Sequence, residues 1–136
     1  MRINYTLSAI IICFVSACGN DALNQSTPQC GPNSLYYIAR KYDVKTSLDD
    51  IYSLSGYNQS TGTSMFGLHE AAKSLGLNPQ GMKVSFRSLQ TMMFPVIAYI
   101  NNNHFLIIYD ANDKGVFLIN PPGPIEYRSK KSFLNV

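Results

Sequence analysis

Three side chains far apart in this sequence could together do thiol chemistry: Cys30, His104 and Asn120. Cys30 sits in Gln29-Cys30-Gly31-Pro32, immediately before a stretch with helical spacing. A helix start presents unpaired N–H groups and the positive end of the helix dipole, which favour a thiolate and lower a thiol's pKa. A thiolate nucleophile needs an imidazole to manage its proton, and that imidazole needs a third group to hold its ring. His104 opens one predicted strand and Asn120 follows the end of the next. In an antiparallel hairpin the start of one strand lies beside the end of the other, so these two residues are expected as neighbours. Gly31 and Pro32 mark a turn, not a core segment. The thiol is therefore expected to be accessible.

The elements that must position these groups read in order along the chain. Pro32 suits a first helical turn, and Leu35, Ile38, Ala39 and Tyr42 recur at helical spacing, which predicts a helix from Cys30 to about Tyr42. A second helix is predicted from Ser47 to Leu54, with Ser47 as cap and Asp49 and Asp50 at its positive end. After a polar loop at 56–62, Thr63 or Ser64 caps a third helix that puts Leu68, Ala71, Ala72 and Leu75 on one face and ends at Gly76. Lys83 to Phe86 alternates as a short strand, and Phe86 to Met93 holds a helical turn or two. Strands are then predicted at 94–100, 104–109 and 116–119, with a return at 125–127. Helices first and a meandering antiparallel sheet afterwards is an α+β order. Lys130-Lys131 reads as a short solvated basic tail.

The chain opens on Met1-Arg2 and an apolar run, Tyr5 to Ala17, whose 13 residues fall short of a spanning helix. A basic start, a short apolar core and a small-residue end are the parts of a secretory signal. Val15-Ser16-Ala17-Cys18 resembles the lipobox of bacterial lipoproteins. That resemblance implies a signal at 1–17, a lipid on the Cys18 sulfur, a polar tether over 18–28 and one domain at 29–136. It places the protein on the cell envelope, anchored to membrane, and with no aspartate just after Cys18 it points to the outer membrane of a Gram-negative host. Cys13 then leaves with the signal, Cys18 is lipidated and Cys30 has no disulfide partner.

Of the charged residues only Arg2 lies in the first 17, so the +3 of the full chain becomes +2 over the remaining 119 residues. A balance that weak does not point to nucleic acid. His69 lacks a second ligand at metal spacing and reads as a surface or packing residue. No Gly-rich phosphate loop is present, so neither a metal nor a cofactor is expected.

The motifs resemble those of the C39 family of papain-like cysteine peptidases. The matching segments are Gln25…Cys30-Gly31, Ala71-Ala72-Lys73-Ser74-Leu75-Gly76-Leu77, Pro95-Val96-Ile97, His104-Phe105-Leu106-Ile107-Ile108 and Asn120-Pro121. They recur in the family's order from about Gln25 to Gly123. The resemblance implies a papain-like fold, a peptide or protein substrate, and hydrolysis through an acyl-enzyme. Cys30 would be the nucleophile, His104 its acid/base partner and Asn120 the orienting group, where the family usually has aspartate. It also implies a glutamine that donates to the oxyanion beside the cysteine's own N–H. Gln25 is the first choice for that role, with Asn24 and Gln29 as alternatives.

Overall fold

The structure, a computed structural model, describes residues 9–15, 27–100 and 104–134. Its elements in chain order are β1 (Ala9–Val15), α1 (Cys30–Lys41), α2 (Leu48–Ser55), α3 (Met65–Ser74), β2 (Asn78–Val84), α4 (Phe86–Leu89), β3 (Val96–Ile100), β4 (His104–Ala111), β5 (Gly115–Ile119), β6 (Ile125–Ser129) and α5 (Lys130–Leu134). The strands form one sheet in the order β2-β1-β3-β4-β5-β6. From β3 to β6 every pairing is antiparallel, as the meander predicts. The α+β expectation holds.

The helix starts are set by side chains. Ser47 accepts the Asp50 N–H while Asp50 accepts the Ser47 N–H, a reciprocal capping box that begins α2. Ser64 accepts the Gly67 N–H to begin α3, and Ser85 accepts the Ser88 N–H to begin α4. Gly56 closes α2 in the left-handed conformation that glycine adopts freely.

Strands β3 and β4 are apolar at nearly every position because both faces of the sheet are covered. Phe105 and Ile107 of β4 pack with Leu35, Ile38, Leu68 and Ala72 of α1 and α3. Leu106 and Ile108 pack the other way, against Phe86, Leu89 and Phe133 of α4 and α5. Removing a Leu or Ile side chain from water is worth about 1.5–3 kcal/mol, so this two-sided burial locks the register of the strand that begins at His104.

Three elements differ from the sequence reading. The strand read at Lys83 to Phe86 runs over Asn78–Val84 instead, because Ser85 caps α4 and takes Phe86 into that helix. Lys130 and Lys131 are exposed, as expected, but they begin a helix and not a tail, because Phe133 is fully buried beneath the sheet and pulls that segment down. Ala9–Val15, inside the run read as a signal, is paired parallel to β2 on one side and to β3 on the other. An apolar run rich in isoleucine satisfies a buried strand as well as a signal core, and periodicity alone does not separate the two. Cys18, Asn24, Gln25 and most of the expected tether lie outside the described residues, as do Asn101 to Asn103.

Candidate active site

Cys30 is the first residue of α1, and Gln29 occupies the cap position without a side-chain hydrogen bond to the helix. The thiol is buried, 6% exposed, against the expectation of an accessible group. Phe105 explains this. α1 packs directly on β4, and the Phe105 backbone N–H donates to Cys30 Sγ at 3.3 Å. The sulfur therefore rests on the strand backbone one residue from His104. Docking of the helix on this strand, which the sequence leaves open, brings residues 75 positions apart into contact.

Electrostatically the thiol departs from the sequence expectation. Burial pushes the Cys30 pKa up, and hydrogen bonding by the backbone of Phe105, Gly31 and Cys30 itself pulls it only partly back. The helix start is present, but desolvation of a thiolate outweighs it here.

His104 is fully buried at the start of β4, paired across the ladder with Ile100. Burial pushes its pKa below the usual 6.5, and hydrogen bonding with the Asn120 side chain opposes that shift. Asn120 follows the last residue of β5, so the hairpin argument made from sequence places it correctly. The contact is loose: neither ring nitrogen meets a partner at good hydrogen-bond geometry among the described residues. At neutral pH both shifts favour the uncharged forms, a thiol and an imidazole.

A cavity of about 200 Å³ opens beside Cys30, bounded by Thr27, the loop residues Ser60, Thr61 and Thr63, and Tyr99 with Phe105. The loop is held by the Thr63 hydroxyl, which donates to Ser55 O at 2.8 Å at the end of α2. Tyr99 and Phe105 pack ring on ring, centroids 4.5 Å apart. Tyr99 was not singled out from sequence. The available signal was a lone hydroxyl in the apolar strand Val96–Ile100, opposite the residue that follows His104. His69 is half-exposed, its Nδ1 3.1 Å from Glu70 Oε1, in keeping with a surface role.

Two solved structures with this architecture are a protease and a peptidase domain. A double glycine motif protease from an AMS/PCAT transporter, solved in complex with the leader peptide, superposes with a TM-score of 0.73 at 21% identity, covering 88% of this chain and 85% of that one. The peptidase domain of Streptococcus ComA, a bifunctional ABC transporter involved in a quorum sensing pathway, superposes with a TM-score of 0.68 at 22% identity, covering 86% and 88%. The chain thus shares the fold of these two peptidase domains. The sequence profile of the Peptidase C39 family matches residues 21–135, and the chain belongs to that family. Among curated proteins it is similar to two uncharacterized proteins of Methanothermobacter thermautotrophicus and Methanothermobacter marburgensis, at 30% and 28% identity over 92 residues. Those matches cover 68% of this chain and 64% of the length of the relatives.

Proposed function

We propose that this chain is a cysteine peptidase that cleaves peptide bonds through Cys30, His104 and Asn120. The observation that carries the reading is the seating of Cys30 Sγ on the Phe105 amide, beside His104, at the head of α1. Because both groups rest neutral, the proton moves from sulfur to imidazole as the substrate carbonyl arrives. Asn120 accepts from the ring N–H and holds the imidazole for that transfer. The thiolate attacks the carbonyl carbon, the imidazolium protonates the leaving amine, and water hydrolyses the thioester. Gln25 supplies the side-chain donor to the oxyanion, with Asn24 and Gln29 as the alternatives.

The lipobox-like segment extends the proposal to location: a lipid on Cys18 holds the domain on the envelope membrane. No helix among the described residues is long and apolar enough to cross a membrane. Detergent-phase partitioning of the wild-type protein, lost in Cys18→Ala, supports the anchor; equal partitioning removes it.

The test of the reaction is a peptide library offered to wild type and to Cys30→Ala, read by mass spectrometry. Cleavage by wild type alone is expected. A second reading, peptide binding without turnover, draws on the buried, raised thiol. Equal peptide capture by both proteins with no cleavage by either would establish it instead.

A further inference from the structure

Cys30 heads a stripe along α1. Asn33, Tyr37, Arg40 and Lys41 follow it at spacings of three and four, which puts them on the same flank of the helix as the cysteine. Those four residues border a cavity of about 660 Å³, and so do Pro121 and Pro122, directly after Asn120. This cavity shares no bordering residue with the one beside the thiol. Its charge is one-sided: Arg40 and Lys41 border it and no carboxylate does. Among the described residues neither cation meets a carboxylate. Arg40 donates to the Tyr36 hydroxyl at 3.3 Å, and Lys41 stands over the Tyr109 ring, 5.1 Å from its centroid.

Beyond Lys41 the apolar surface continues on the sheet. Ile119 packs under α1 and pairs across the ladder with Ile125. Phe117, two residues before Ile119, shares that face and pairs with Tyr127, ring centroids 5.2 Å apart. Phe117, Ile125 and Tyr127 are 37%, 54% and 49% exposed, so α1 leaves this side of β5 and β6 uncovered. An aromatic and apolar floor rimmed by two cations is complementary to a chain that carries apolar side chains and a carboxylate.

We propose that this groove takes the part of a substrate polypeptide that follows the scissile bond, and selects an acidic residue about four or five positions beyond the cut with an apolar or aromatic residue beside it. The inference rests on the peptidase reading for its direction. His104 protonates the leaving amine, so the chain beyond the cut departs past the imidazole and the Asn120 that holds it, towards Pro121. Arg40 lies ten residues along α1 from Cys30, about 15 Å at the helical rise, a length that four or five extended residues span. A bilayer surface also offers anionic and apolar groups, but it is flat, and these cations flank a recess between a helix and a turn.

The experiment separates docking from turnover. Cys30→Ala protein is offered an array of peptides in which each acidic peptide is paired with its Asn or Gln counterpart. The acidic member is expected to be captured about three- to tenfold better, an advantage that shrinks as salt rises. Adding Arg40→Gln and Lys41→Gln should abolish the advantage. Adding Lys73→Gln and Lys131→Gln, which removes the same charge elsewhere on the exposed surface, should keep it. In the peptides that wild type cleaves, the acidic residue should fall on the C-terminal side of the cut. Equal capture of both members, an advantage that survives loss of Arg40 and Lys41, or an acidic preference only on the N-terminal side of the cut overturns the proposal. So does binding of phosphatidylglycerol vesicles that needs Arg40 and Lys41 while peptide capture does not, which would assign the patch to a membrane. A wild type that cleaves nothing overturns the peptidase reading and the side assigned here, while the capture ratio still decides whether the groove holds an acidic chain.

Discussion

At the scale of single residues, burial governs both partners of the proposed reaction, and it does so with opposite signs. His104 binds its proton less readily folded than unfolded, since its pKa lies below 6.5. The unfolded chain therefore binds more protons as pH falls below about 6.5, and stability is lost on that side until the folded pKa is passed. Cys30 keeps its proton beyond the usual 9.0 while the unfolded thiol ionises. Stability is then lost as pH rises above about 9, until the folded thiol ionises as well. Tyr52 and Tyr99 are also raised, but from 10.0, so the interval from about 9 to 10 belongs to Cys30. Urea midpoints measured across pH should show a plateau from about 6.5 to 9 with a fall on each side. His104→Asn should flatten the acid fall and Cys30→Ala the onset of the alkaline one. An unaltered acid limb in His104→Asn would mean that this ring does not set it. The same opposition explains where sequence reasoning about the thiol stopped. The helix start at Cys30 is legible from Pro32 and the apolar spacing, but the desolvation comes from β4, through a docking that no local pattern encodes.

At the scale of elements, the site depends on how closely α1, the 56–63 loop and β4 approach one another. Gly31 sits where they meet. A Cβ added there would lie 2.6 Å from Thr63 Cγ2 and 3.0 Å from the Phe105 ring. Thr63 cannot easily retreat, because its hydroxyl is bonded to Ser55 O. Gly31→Ala should therefore cost about 1–3 kcal/mol of stability by overpacking. Thr63→Ser removes the offending methyl and keeps the hydroxyl, so Gly31→Ala should cost at least about 0.5 kcal/mol less in that background. Strict additivity in a double-mutant cycle by urea denaturation would place the strain elsewhere. The sequence did show a glycine after the cysteine and read it as a turn. Its actual role is close approach within a helix, visible only once the loop and strand are in place. By contrast the cap at Ser47, the cap at Thr63 or Ser64 and the hairpin that joins His104 to Asn120 were legible, because each depends on residues a few positions apart or on one short turn.

At the scale of the whole molecule, the unresolved tension lies between β1 as a strand and the same residues as a removable signal. Ile12 is paired with both Gly81 and Ile97, Cys13 with Met82 and Ala98, and Phe14 with Lys83 and Tyr99. β2 and β3 are thus each parallel to β1, and parallel to each other, with a common register across it. Removing β1 leaves two facing edges one strand-width too far apart to bond. An unpaired edge carries a row of unsatisfied N–H and C=O groups. A shift of β2 by one inter-strand spacing, about 4.8 Å, would bring Gly81 beside Ile97 and Lys83 beside Tyr99 with the register kept. The connection permits it, because β2 reaches β3 through α4 and the segment 90–95. A protein beginning at Cys18, with serine replacing that cysteine to avoid lipidation, should therefore fold as a five-stranded sheet in which β2 and β3 pair directly. Amide exchange is the measurement: N–H groups across 96–100 should be protected in the shortened protein to about the level of the full chain. Rapid exchange there, with protection kept in β4 and β5, would mean that β1 is a permanent strand and that cleavage before Cys18 is incompatible with an ordered β3. Since β3 carries Tyr99 and pairs with the strand that starts at His104, the same result decides whether the site survives maturation.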